Sequence, residues 1–223
     1  MDWKNALIIG ASGGIGSALV SALKARGTEV RALSRSADEL DLTNEAAVDR
    51  VLGGIEQKFD LIIIATGALE IDGAVPEKSL KQITAQAMQD QFALNAIGPA
   101  LVLRHAARLA ERKTPAHVAV LSARVGSIGD NRLGGWHSYR AAKAAVNQIV
   151  RGASIELART HKSLACVALH PGTVQTEFTA KYVGRHPAVP ADEAAENLLN
   201  VLARLGPEQT GRFYDWAGED VPW

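Results

Sequence analysis

Short, uninterrupted apolar runs alternate along the chain with longer stretches in which apolar positions recur every three or four residues. Ala6-Leu7-Ile8-Ile9 carries no polar residue, the pattern of a strand covered on both faces. Ile15, Leu19 and Leu23 then recur at four-residue spacing, with Lys24 and Arg26 near the end and Gly27 as a stop, which reads as a helix. The pairing repeats. Val30–Leu33 reads as a strand and Glu45–Gln57 as a helix opened by Thr43 or Asn44, and Leu61–Ala65 as the next strand. Thr84–Arg112 reads as a long helical region interrupted near Gly98-Pro99. Strand Val118–Leu121, helix Ser138–Arg159, strand Leu164–Leu169 and helix Ala191–Leu205 follow, and Arg212-Phe213-Tyr214 adds an edge strand. Strands separated by helices of this length need right-handed crossovers. The pattern therefore predicts an α/β fold, a doubly wound parallel sheet with helices on both faces, whose ligands sit at the carboxyl ends of the strands.

No repeat or Ser/Gly/Pro-rich linker divides the 223 residues, so residues 1–223 read as a single domain. Lys+Arg number 24 and Asp+Glu 24, a balance that argues against nucleic acid as a partner. The one cysteine, Cys166, excludes an intrachain disulfide framework, and no residue pattern for a metal site is present. The apolar runs are far shorter than the about 20 residues needed to cross a bilayer. With no secretory pattern at the N-terminus, the expected location is cytoplasmic.

The chemistry begins after the first strand, at Gly10-Ala11-Ser12-Gly13-Gly14-Ile15-Gly16. Glycines there let the backbone approach an anion, and the helix that follows presents free N–H groups and its positive dipole end. The placement between the first strand and first helix points to a dinucleotide. Gly10-Ala11-Ser12-Gly13-Gly14 also matches the Gly-x-Ser-x-Gly turn of serine hydrolases, but no earlier strand supplies an oxyanion loop. A Walker A loop fails for want of a Lys-Ser/Thr pair. At the end of the second strand, Ser34-Arg35-Ser36 offers a guanidinium where an NAD site holds a carboxylate, so NADP(H) is favoured, with NAD(H) as the alternative. Tyr139 and Lys143 lie four apart on one helix face, and a cation beside a phenol makes it a usable acid or base.

The glycine turn, the Tyr139/Lys143 pair and Pro171-Gly172-Thr173-Val174-Gln175-Thr176 together make the chain resemble the short-chain dehydrogenase/reductase superfamily, a Rossmann-type fold, from Lys4 to about Trp216. Ser122-Ala123-Arg124-Val125-Gly126-Ser127-Ile128 and Gly211-Arg212-Phe213-Tyr214-Asp215-Trp216 resemble the sniffer-type carbonyl reductases and C-factor-like proteins. The resemblance implies an NADP(H)-dependent oxidoreductase interconverting a small-molecule carbonyl and an alcohol, in a homodimer or homotetramer. Tyr139 would exchange the proton, Lys143 would hold the nicotinamide ribose and lower the tyrosine pKa, and Asn95 would anchor a proton relay. Gly10, Ser12, Gly13, Gly14, Ile15 and Gly16 would cradle the pyrophosphate. Ser34 and Arg35 would meet the 2′-phosphate, Asp41 and Leu42 the adenine edge, and Thr173 and Thr176, after Pro171 and Gly172, the carboxamide.

Three departures stand out. Ile9 replaces a threonine, and Ala65-Thr66-Gly67 replaces an Asn-Asn-Ala-Gly run at the cofactor. Ala123 stands where the family keeps the serine that polarises the carbonyl, leaving Ser122, ranked first, or Ser127 to serve. The alternative reading is therefore a dinucleotide-binding signalling or regulatory protein with weak or vestigial reductase activity. Phe178–Val189 reads as a substrate flap, and Trp136 and His137 as pocket-lining residues.

Overall fold

A computed structural model describes residues 3–176, 179 and 188–223. Six strands form one sheet: β1 (Asn5–Ile9), β2 (Glu29–Leu33), β3 (Leu61–Ile64), β4 (Ala116–Leu121), β5 (Leu164–His170) and β6 (Phe213–Asp215). Their order is β2-β1-β3-β4-β5-β6, with every neighbouring pair parallel. The chain leaves β1 toward one edge and returns to the other side of it at β3, so the order reverses beside β1. Such a reversal opens a crevice at the carboxyl ends of the strands. In register, Ile9 pairs with Leu33 and Ile64, Ile64 with Val120, and Leu121 with Leu169. The loops that follow β1, β3, β4 and β5 therefore leave the sheet along one rim.

The helices are α1 (Gly14–Ala25), α2 (Arg35–Asp38), α3 (Glu45–Gly53), α4 (Ala85–Phe92), α5 (Gly98–Leu109), α6 (His137–Leu157) and α7 (Ala191–Leu202). Alternate residues of each strand point to opposite faces. Leu7, Ile9, Ile62, Ile64, Val118 and Val120 pack with Val48 and Leu52 of α3, Val102 of α5 and Val146 and Val150 of α6. Ala6, Ile8, Leu61, Ile63, Ala119 and Val167 pack with Leu19 and Leu23 of α1 and Leu198 and Leu202 of α7. Both faces of β1, β3, β4 and β5 are thus covered, the reason these strands read as apolar runs, whereas the edge strand β2 is largely exposed. Each fully buried Leu or Ile contributes about 1.5–3 kcal/mol. Cys166 lies within this core, and burial pushes its thiol up to about 12, so it behaves as a small hydrophobe.

Two elements differ from the sequence pattern. The long region after Thr84 breaks earlier than Gly98-Pro99, at a π-helical turn over Ala93–Ile97. Pro99 itself sits in the first turn of α5, where its missing N–H costs nothing. The segment after β2 is not open loop: Ser34 caps the short α2, its Oγ accepting from the Ala37 N–H at 3.1 Å. Past β6 the chain doubles back, with Phe213 and Trp223 stacked and the Gly129 N–H donating to the Trp223 carbonyl at 2.9 Å. The expected flap, Phe178–Val189, lies outside the described residues except for Thr179, Ala188 and Val189. Among the described residues no helix is long and apolar enough to cross a membrane.

Candidate functional site

The crevice at the strand ends is a cleft of about 1420 Å³, larger than one small ligand needs. It is lined by the glycine loop at Ser12, Gly13, Gly14 and Ile15, by Ala65, Thr66 and Gly67 after β3, by Ser122, by Tyr139 and Lys143 of α6, and by Pro171, Gly172, Thr173 and Thr176 after β5. Gly10 turns the chain with φ +89°, and a Cβ at Gly16 would lie 2.1 Å from the Gly10 carbonyl oxygen. Only glycine allows this turn to close onto the helix start. A Cβ at Gly14 would strike Thr176 Cγ2 at 2.5 Å, so Thr176 stands over the phosphate-loop end of the cleft.

Ser34, Arg35, Asp41 and Leu42 lie beyond the cleft lining, past the end of β2. Arg35 is exposed and its charge helps hold Asp41 below the usual carboxylate range, although the larger cause is the pair of hydrogen bonds from Thr43. Asp38 closes on the backbone of the same turn, its Oδ2 accepting from the Ser34 N–H at 2.8 Å. Leu42 is buried, packed where Gly98 leaves room: a Cβ there would lie 2.8 Å from Leu42 Cβ. Its place is in the packing between the second crossover and α5.

In the cleft lining Tyr139 is 6% and Lys143 3% exposed. The Lys143 Nζ lies 5.8 Å from the centre of the Tyr139 ring and donates to the Leu121 carbonyl at 3.0 Å. Burial pushes the Lys143 ammonium down to about 8 and raises the Tyr139 phenol above its ordinary value. The expected lowering of Tyr139 by Lys143 is thus outweighed in this structure, because the ammonium lies over the ring and both groups have lost water. Asn95 sits in the π-turn, fully buried; its Nδ2 donates to the Ala68 carbonyl and Gln91 Oε1, and its Oδ1 accepts from the Ala68 N–H. Gly67 fits between the two centres: a Cβ on it would lie 2.7 Å from Asn95 Oδ1 and 3.4 Å from Lys143 Nζ. The structure therefore brings Gly67, Asn95, Tyr139 and Lys143 to one point.

The two candidate serines part company. Ser122 lines the cleft but donates its hydroxyl hydrogen to Asn147 Oδ1 at 2.6 Å. Ser127 is not among the lining residues; its hydroxyl donates to the Pro222 carbonyl and accepts from the Asp130 N–H.

Residues 4–186 match the family model for short chain dehydrogenases. The chain belongs to the short-chain dehydrogenase family. The 1-hydroxy-2-glutathionyl-2-methyl-3-butene dehydrogenase of Rhodococcus sp. (strain AD45) is 28% identical over 232 residues, covering 97% of this chain and 98% of that protein. The C-signal of Myxococcus xanthus is 36% identical over 136 residues, 61% of this chain and 78% of that one. The NADPH-bound carbonyl reductase from chicken fatty liver superposes with a TM-score of 0.81 at 24% identity, covering 100% of both chains. The expected likeness to carbonyl reductases and C-factor-like proteins is met.

As a short-chain dehydrogenase, the chain has a site that suits a dinucleotide. The glycine turn leaves a cradle that a Cβ would fill, and Thr66 Oγ1 and His170 Nδ1 are buried polar atoms at the cleft without a hydrogen-bond partner among the described residues. Burial pushes His170 down to about 4, so its ring is neutral there. Glu77 went unnoticed in the sequence. It is buried against the start of α6, where Trp136 has φ 53° and gives no side-chain cap. The Glu77 carboxylate accepts instead from the Ser138 N–H and hydroxyl, and its carbonyl from the Trp136 N–H. Burial alone would raise the Glu77 carboxyl, but these hydrogen bonds outweigh it and leave the group below its usual range. A carboxylate there also meets the positive end of α6. No motif announces Glu77, because it reaches Ser138 across 61 residues of sequence.

Proposed function

We propose that this short-chain dehydrogenase is an NADP(H)-dependent oxidoreductase that interconverts a carbonyl and an alcohol, with Tyr139 as proton donor and acceptor. The observation that carries this reading is the meeting of the nearly inaccessible Tyr139 and Lys143 in the cleft onto which the glycine loop opens. Gly13, Gly14 and the N-terminal N–H groups of α1 would hold the pyrophosphate, Arg35 the 2′-phosphate, and Lys143 the ribose next to the reaction. Bound NADPH supplies a hydride to the carbonyl carbon. Tyr139 Oη gives its proton to the carbonyl oxygen as the C–O double bond becomes single. A phenol raised by burial is fully protonated at neutral pH, the form a donor requires. The NADPH in the chicken carbonyl reductase and Arg35 at the second strand both favour NADP(H) over NAD(H).

Tyr139→Phe removes the proton donor while keeping the ring. It is expected to abolish NADPH-dependent reduction of aldehydes and ketones and to leave NADPH affinity, read by fluorescence titration, unchanged. Full turnover in this variant would overturn the assignment. A second reading, a dinucleotide-binding regulator with weak reductase activity, is favoured by one observation: the Ser122 hydroxyl hydrogen is committed to Asn147 and Ser127 is turned to Pro222. Tight NADPH binding with no turnover across a carbonyl panel would select it.

A further inference from the structure

The cleft is one-sided in charge. Its described lining includes Lys78, Arg124, Arg140 and Lys143 and neither Asp nor Glu. Lys143 belongs to the reaction centre. Arg124 is paired, its Nε 2.6 Å from Asp130 Oδ2 and its Nη1 3.6 Å from Asp215 Oδ2. Arg140 is different. Its Nε donates to the carbonyls of Gly134 and Gly135, at 3.2 and 2.9 Å, and its Nη1 to the Val125 carbonyl at 3.1 Å. These bonds fix the guanidinium against the loop between β4 and α6 without neutralising it. Burial lowers its pKa, and none of the ion pairs among the described residues involves it. No described residue accepts from the second Nη1 hydrogen or from Nη2, the edge of the fork that grips a carboxylate with two parallel bonds. The side chain also sits in the first turn of α6, beside Tyr139, where the helix dipole disfavours a cation. Packing gives no reason for a fixed cation with no ion-pair partner among the described residues at that point; a ligand anion does.

We infer that Arg140 is a specificity-determining residue that receives a carboxylate on the substrate, at a distance from the reacting carbonyl, with Lys78 adding to the attraction. The inference rests on the carbonyl-reductase reading of the same cleft. The test uses 4-carboxybenzaldehyde and its methyl ester, which share one aldehyde and differ in charge. Wild type is expected to favour the acid in kcat/KM by roughly tenfold or more, the scale of one charge-assisted hydrogen-bonded contact, and this ratio falls as salt is raised. Arg140→Gln brings the ratio to about one, chiefly by raising KM for the acid, and Arg140→Lys, which keeps the charge without the fork, falls between. A wild-type ratio at or below one overturns the inference even if the variants do not fold. Equal losses on acid and ester, or weakened NADPH binding in Arg140→Gln, assign the residue to the loop or the cofactor and overturn it as well. If neither aldehyde is reduced, the reductase reading fails by itself. Calorimetry with terephthalate then decides the anion site: binding at least tenfold tighter to wild type than to Arg140→Gln sustains it, and equal binding sinks it.

Discussion

Replacing Lys143 with Met should make the protein more stable while removing its activity. The ammonium is 3% exposed, and burial pulls its pKa from 10.5 to about 8. At roughly 1.36 kcal/mol per pH unit, that gap makes the charged form about 3 kcal/mol costlier in the folded chain than in the unfolded one. Met removes the charge and fills a similar volume, but forfeits the 3.0 Å bond to the Leu121 carbonyl, a loss of about 1.5–3 kcal/mol. The balance at pH 7 is a gain of roughly 1 kcal/mol, or about 2–4 °C in Tm for a chain of this length. The sign with pH is the sharper part. Below about pH 8 the folded lysine carries its full penalty. Between pH 8 and 10.5 the unfolded state holds the proton more firmly than the folded state, so wild-type stability rises relative to the variant. The lead of Lys143→Met, roughly 1 kcal/mol, should therefore be lost within about one pH unit above 8, and the order should reverse near pH 9. Urea unfolding followed by Trp fluorescence, run on both proteins from pH 7 to 10, measures the difference, and titrations common to both cancel. A variant less stable at pH 7, or a difference flat with pH, would refute the argument.

Three further outcomes follow from single observations. Glu77→Ala leaves the first turn of α6 without its carboxylate and should cost about 2 kcal/mol by denaturant unfolding, lowering kcat more than KM because Tyr139 lies in that turn. Arg35→Glu places a carboxylate at the proposed 2′-phosphate position and should weaken NADPH by roughly tenfold or more while changing NADH little, read by fluorescence titration of each. His117 accepts from Trp3 Nε1 on Nδ1 and faces the Leu205 carbonyl through Nε2, which fixes a neutral ring, and burial lowers its pKa. An unfolded histidine gains a proton below about pH 6.5 that this ring refuses; stability should therefore drop from pH 7 to 5, and a flat urea-unfolding profile would contradict it.

What the sequence made legible and what it hid divide along the reach of the interactions. The alternation of strands and helices was readable because both faces of β1, β3, β4 and β5 are covered, which turns each strand into an apolar run that any window detects. The glycine loop was equally local: φ +89° at Gly10 and the contact of Gly16 with the Gly10 carbonyl involve residues six apart. The break in the helical region from Thr84 lies just before the expected Gly98-Pro99, and its form was hidden for a local reason too. Proline is the strongest helix breaker in an interior, yet Pro99 falls in a first turn, and the π-turn that carries Asn95 has no composition of its own. The choice between Ser122 and Ser127 is of another kind. It is made by Asn147, 25 residues away, and by Pro222, 95 residues away, and Glu77 is tied to α6 across a comparable gap. Arg140 lies between. It stood in plain view beside Tyr139, but its meaning depends on which carbonyls hold it, a property of the folded loop from Val125 to Gly135. Short-range geometry therefore carries the family, while the residues that would decide rate and substrate are set by long-range partners. A change in substrate should be sought first in that loop and in Arg140, and last in the Tyr139/Lys143 spacing.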